Sequence, residues 1–191
     1  MVGLNARHAV GLREARFDDC EWSLAAPATA EVEAFENPPR FDPSYDALIL
    51  TDASAKEGIS AAVILNQDFD TLANVRTEFR RDGLTTTLAE ACAIFVGLSA
   101  ARDVDQKRVI VWSDCQPLVA QLSGAAQTRS PDMVSALKAI RGLGPFDAVR
   151  FEWFKRTAFL HYFIYRNLDR DRHPTGRTVA LPLDFAALLR S

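Results

Sequence analysis

Two aspartates stand at the ends of matching apolar runs: Ala47-Leu48-Ile49-Leu50-Thr51-Asp52 and Val109-Ile110-Val111-Trp112-Ser113-Asp114. A short unbroken apolar run is the pattern of a strand buried on both faces, as in the middle of an α/β sheet. Such a strand has no polar face, so the acid marks its carboxyl end. Two central strands that end alike bring two carboxylates to one edge of the sheet. Like charges at close range repel and raise each other's pKa. The arrangement is costly unless a cation lies between them, and a divalent metal is the usual solution. Each aspartate taken alone fits equally well as a turn residue closing a strand.

The rest of the chain supplies the elements that would position such a pair. Gly58 marks a turn after the first run. Residues 59–66 read as a second strand and 72–81 as a third, where Val75-Arg76-Thr77-Glu78-Phe79-Arg80 alternates. The short link Gln67-Asp68-Phe69-Asp70 predicts a hairpin between them, so the sheet begins as an antiparallel meander. The period then changes. Leu88, Ala91, Cys92, Phe95, Leu98 and Arg102 recur at helical spacing, with Thr86 or Thr87 as the cap and Thr87 with Glu90 as a capping box. After the strand at 108–114, Pro117 opens a short helix to Leu122, and Ser130-Pro131 open another to Arg141. Residues 148–154 read as a fifth strand, and the apolar, aromatic stretch 158–167 as a buried last helix. The order β-β-β-α-β-α-α-β-α predicts an α/β fold with one mixed five-stranded sheet and helices on both faces. Residues 1–45, with Pro27, Pro38, Pro39 and Pro43, are expected to form an N-terminal extension carrying a short helix at 30–35. The domain then spans 46–168, and 169–191 is a C-terminal tail with a short helix over 181–189.

Composition narrows the class of function. With 48% apolar and 25% charged residues in 191, the chain is that of a soluble globular domain with a substantial core. A net charge of −3 gives no overall basic field, so nucleic-acid binding must come from a local patch. Cys20, Cys92 and Cys115 are odd in number and widely spaced, which fits neither a disulfide framework nor a zinc site and points to a reducing, cytoplasmic setting. Residues 1–10 do not form a secretory signal, and no apolar run has the length of a membrane span.

Thr51-Asp52-Ala53-Ser54, then Gly58 and an apolar strand, resembles the opening of the ribonuclease H domain, especially its retroelement form. Glu90 in Leu88-Ala89-Glu90-Ala91 is similar to that family's second, helical acid. Trp112-Ser113-Asp114-Cys115-Gln116-Pro117-Leu118-Val119 resembles its third, a strand ending in Ser-Asp followed by a short helix. The resemblance covers residues 46–168 and implies a ribonuclease H-like fold. It also implies a metal-dependent endonuclease that cuts the RNA strand of RNA–DNA hybrids, with two Mg2+ (or Mn2+) ions as cofactors. Asp52 would bridge the ions, and Glu90 and Asp114 would hold one of them. Two metals about 4 Å apart serve both ends of an in-line displacement at phosphorus, and hard carboxylate oxygens suit magnesium where the sulfur of Cys115 does not.

The family's fourth acid has no counterpart at its place. Lys155-Arg156-Thr157-Ala158-Phe159-Leu160-His161-Tyr162-Phe163-Ile164 contains none, and Asp169 and Asp171 fall two to three turns late. His161, Tyr162 or Phe163 occupies the position, depending on register. The chain then uses His161 as the fourth catalytic group, uses Asp169, works with a weakened second metal site, or is an inactive module that binds nucleic acid or scaffolds a complex. Of the two readings of His161, packing among Phe159, Tyr162 and Phe163 is favoured over a catalytic role. Lys155, Arg156 and Arg170, near Arg166 and Arg172, read as a phosphate-contacting patch or as a solvated basic face.

Overall fold

The computed structural model describes residues 21–24, 42–79, 84–154 and 178–180. The apolar runs become strands. β1 is Glu21–Leu24, β2 Ala47–Ser54, β3 Ile59–Leu65, β4 Thr71–Glu78, β5 Arg108–Ser113, β6 Ala148–Trp153 and β7 Thr178–Ala180. Three helices are interposed: α1 Thr86–Asp103, α2 Gln116–Leu122 and α3 Pro131–Arg141. The strands form one sheet in the order β1-β6-β5-β2-β3-β4-β7. β2, β3 and β4 make the antiparallel meander, whereas β5 lies parallel to β2 and β6 parallel to β5. The five strands and the mixed sheet that the sequence predicts are therefore present.

Two short strands extend the sheet beyond those five. β1, from the extension, pairs parallel with β6, and β7, from the tail, pairs parallel with β4. At four and three residues they are too short to show an alternation, and their partners lie far away in sequence. Both lengthen the sheet at what would otherwise be its edges, where unpaired backbone invites association.

All three described helices pack on one face of the sheet. Ala47, Ile49, Ala62, Ile64, Val109, Val111, Val149 and Phe151 meet Ala91, Ile94 and Leu98 of α1, Leu118 and Leu122 of α2, and Met133 and Ile140 of α3 in one core. Leu48, Leu50, Val63, Leu65, Ile110 and Trp112 face the other way with Tyr45 and Phe154. The period-2 alternation of side chains divides each central strand between the two clusters. The last helix expected at 158–167, and the short helices at 30–35 and 181–189, lie outside the described residues.

α1 sits very close to the sheet, and Gly97 is why. A Cβ there would lie 2.7 Å from Ile49 Cγ2 and 2.9 Å from the Ala62 Cβ. The helix begins one residue earlier than expected. Its cap is Thr85, whose Oγ1 accepts a hydrogen bond from Leu88 N at 3.2 Å, rather than Thr86 or Thr87. With that register the reciprocal box position is Leu88, so Glu90 is not a capping residue. Ser130 caps α3 through Met133 N, as the Ser-Pro pair predicts.

Candidate metal centre

The acidic side chains converge where β2 and β5 part. The β2–β5 ladder runs from Ala47–Val109 to Leu50–Trp112 and stops there. From β2 the chain turns to β3 on one side, and from β5 it goes to β6 on the other. That is a topological switch point, where open α/β sheets form a crevice outside their carboxyl ends. Asp52 stands within β2, two residues past its last position paired with β5, and Asp114 directly follows β5. Glu90 comes from the second turn of α1.

Local bonds fix each of the three. Thr51 Oγ1 donates to Trp112 O at 3.2 Å, tying β2 to β5 immediately before Asp52. Asp52 Oδ1 accepts from Ala53 N at 2.9 Å. On α1, the buried Ser60 hydroxyl of β3 donates to Ala89 O at 2.8 Å, which pins the helix beside Glu90. Asp114 is held by its backbone: its carbonyl accepts from Trp153 Nε1 at 3.1 Å and from Gln116 N at 3.1 Å, and Ser113 Oγ accepts from Cys115 N.

One carboxylate oxygen from each of Asp52, Glu90 and Asp114 lies within 4.8 Å of the others. Glu90 is only 4% exposed and Asp52 9%. At an effective dielectric of 20, two full charges at that separation repel by about 3–4 kcal/mol. Three hard oxygens converging at that spacing match what a divalent cation of the magnesium type needs. The donor set therefore fits the expected metal. Cys115, half-buried beside the acids, has its thiol pushed above the usual range by burial, and the Glu90 and Asp114 charges push the same way. The three converging ligand atoms are all carboxylate oxygens, the hard donors that magnesium prefers over sulfur.

Among the described residues no fourth His, Cys, Asp or Glu joins the cluster. Glu152, the acid nearest in sequence to the expected fourth position among the described residues, is committed elsewhere. Its Oε2 accepts from Trp112 Nε1 at 2.6 Å and its Oε1 pairs with Arg150 Nε at 2.9 Å. His161, Lys155, Arg156, Asp169 and Arg170 lie outside the described residues. Sequence reasoning missed the residues that position the acids: Ser60, Thr85, Gly97 and Trp153. Ser60 alone carried a signal, as a hydroxyl inside an apolar strand that needs a buried partner.

Residues 45–159, more than half of the chain, match the family model described as reverse transcriptase-like. A comparison with curated proteins finds no match. The fold is similar to that of the N-terminal RNase H domain of a Mycobacterium tuberculosis protein, at a TM-score of 0.54 and 23% identity over 59% of this chain and 84% of that one. RNase H1 from the halophilic archaeon Halobacterium salinarum gives a TM-score of 0.54 and 23% identity over 58% of this chain and 86% of that one. LC11-RNase H1, solved in complex with an RNA/DNA hybrid, gives a TM-score of 0.53 and 20% identity over 58% and 86%.

Proposed function

The chain belongs to the reverse transcriptase-like family and carries the ribonuclease H fold, and from that premise we propose that it is a metal-dependent nuclease cutting the RNA strand of RNA–DNA hybrids. The observation that carries the reading is the meeting of Asp52, Glu90 and Asp114 within 4.8 Å at the sheet's switch point. A similar fold bound to an RNA/DNA hybrid supports the substrate class.

Asp52, Glu90 and Asp114 would hold the divalent cations, magnesium or manganese. When bound, such ions supply an activated water and stabilise the leaving oxygen of an in-line displacement. The chain's own residues prepare that chemistry by preorganisation. Thr51, Ser60 and Trp153 hold the backbone beside or at each of the three acids, so little backbone rearrangement is needed when cations arrive. The low exposure of Glu90 and Asp52 strengthens every electrostatic interaction there.

A second reading rests on the stretch 155–164, which holds no acid: a ribonuclease H-like module of weak or no activity that binds nucleic acid. Incubation of a labelled hybrid with magnesium or manganese separates the two. The nuclease reading predicts cleavage by the wild type and at least a hundredfold loss in Asp52→Asn. No metal-dependent cleavage by the wild type, with hybrid binding that survives Asp52→Asn and weakens with salt, would leave the binding module.

A further inference from the structure

Two strands of the sheet come from outside the residues that match the family model. β1 and β7 flank the matched stretch 45–159. Each is brought by a terminal segment and pairs parallel with an outer strand of the five-stranded core, β1 with β6 and β7 with β4. An uncovered edge strand offers a row of backbone N–H and C=O groups to any other extended chain. Both outer strands of the core are thus covered by strands on tethers.

The ladder of β7 on β4 is short. It pairs Thr178 with Asn74, Val179 with Val75 and Ala180 with Arg76, three of the eight residues of β4. Three parallel pairs make few hydrogen bonds, and parallel pairing is slightly the weaker kind per residue. Pro174 and Pro182 bound the stretch in sequence. Proline cannot donate to a ladder, so the pair confines the strand to the seven residues between them. β4 itself is held firmly, paired with β3 from Thr71 to Glu78 and with Ala73, Val75 and Thr77 buried. A fixed template therefore carries a short strand that can come away from it.

A tethered strand has two ways to reach such a template: its own, or that of a neighbour. The chain from Trp153, the end of β6, to Thr178 can span about 80 Å at full extension, enough to reach an adjoining molecule. Exchange of an identical element recreates the contacts of the monomer and is a low-cost route to a dimer. The tether favours the chain's own β4 by giving β7 an effective concentration in the millimolar range. Exchange grows as the protein concentration approaches that value.

We infer that the outer edge of β4 is a docking surface for the tail strand of a second copy of this chain. Thr178–Ala180 of one molecule lies along Asn74–Arg76 of the other, in the register of the monomer. The exchange is reciprocal, so it closes as a two-fold dimer and occupies both β4 edges. The bounding prolines keep the pairing from running on into a longer ladder. The contact involves none of Asp52, Glu90 and Asp114, and the nuclease reading stands or falls without it.

Disulfide trapping in the full-length chain tests it. Asn74 and Thr178 are partners in the ladder. Adjacent strands lie about 4.8 Å apart, within the reach of a disulfide. Isotopically labelled Asn74→Cys chains are mixed with unlabelled Thr178→Cys chains and oxidised at protein concentrations from about 5 to about 500 μM, the upper value nearing the effective concentration of the tether. Mass spectrometry reads which positions have joined. The expected product is a covalent dimer linking position 74 of one chain to position 178 of the other, at least about tenfold more abundant at the upper concentration. Val179→Pro, which removes the central N–H of β7, should abolish that product when added to the Thr178→Cys chain. The double variant Asn74→Cys/Thr178→Cys, when dilute, should close the same bond within one chain. A bond that forms in the dilute double variant and between mixed chains at no concentration overturns the inference, because the tail then serves its own domain alone. A double variant that forms the bond neither within nor between chains removes the ladder and overturns it as well. A mixed-chain product that survives Val179→Pro also overturns it, since the cysteines then meet by collision.

Discussion

Glu152 shows how completely one carboxylate can be committed in three dimensions. It takes the Trp112 indole on one oxygen and Arg150 on the other, while Arg150 also reaches Asp42 at 3.1 Å and lies 4.7 Å over the Tyr45 ring. Removing it leaves the buried indole N–H without its acceptor and Arg150 with Asp42 alone as its carboxylate partner. Glu152→Ala should therefore cost about 2–4 kcal/mol of stability in urea unfolding, and Glu152→Gln distinctly less, because an amide oxygen can still accept from Trp112. Cys92 is the other residue with a clear signature. Burial pushes its thiol up to about 11, the neighbouring Ser60 hydroxyl only partly opposing it. The folded protein keeps this proton while an unfolded thiol loses it near pH 9, so the stabilisation is complete below pH 9 and disappears as pH rises through 11. The urea midpoint of the wild type should thus fall more between pH 8.5 and 10.5 than that of Cys92→Ala. At this scale the sequence was legible where an acid ends an apolar run, as at Asp52 and Asp114. Glu90 was harder, because a glutamate early in a helix reads as a cap until the register is known. Thr85 settles that register, and no local signal separates it from Thr86 or Thr87.

The long helix α1 is the element on which the site depends, because it alone carries Glu90 and must approach β2 closely. Gly97 permits that approach. An added methyl 2.7 Å from Ile49 Cγ2 has to push the helix outward, so Gly97→Ala should destabilise by about 1–3 kcal/mol despite the better helix propensity of alanine. It should also weaken manganese binding, since a displaced helix carries Glu90 away from the two aspartates. Ser60→Ala removes the bond to Ala89 O and should cost about 1 kcal/mol, with a similar but smaller effect on the metal. The periodicities of α1 and the central strands were plain because each is long and buried on a definite face. β1 and β7 were not, because three or four residues cannot display a period and their pairing is decided by distant partners.

Across the whole molecule, the order of strands decides where chemistry can occur. β2 and β5 leave the sheet in opposite directions, and the crevice between their ends is where the three acids gather. Two apolar clusters, one on each face, hold that crevice rigid from either side. The central claim is that these carboxylates, repelling one another in the bare protein, form a seat for divalent cations. It is tested most directly by titrating the protein with manganese and following the free ion by electron paramagnetic resonance. The account predicts saturable binding by the wild type that weakens at least tenfold in both Asp52→Asn and Asp114→Asn, with circular dichroism unchanged. Equal manganese affinity in the wild type and both variants would contradict it.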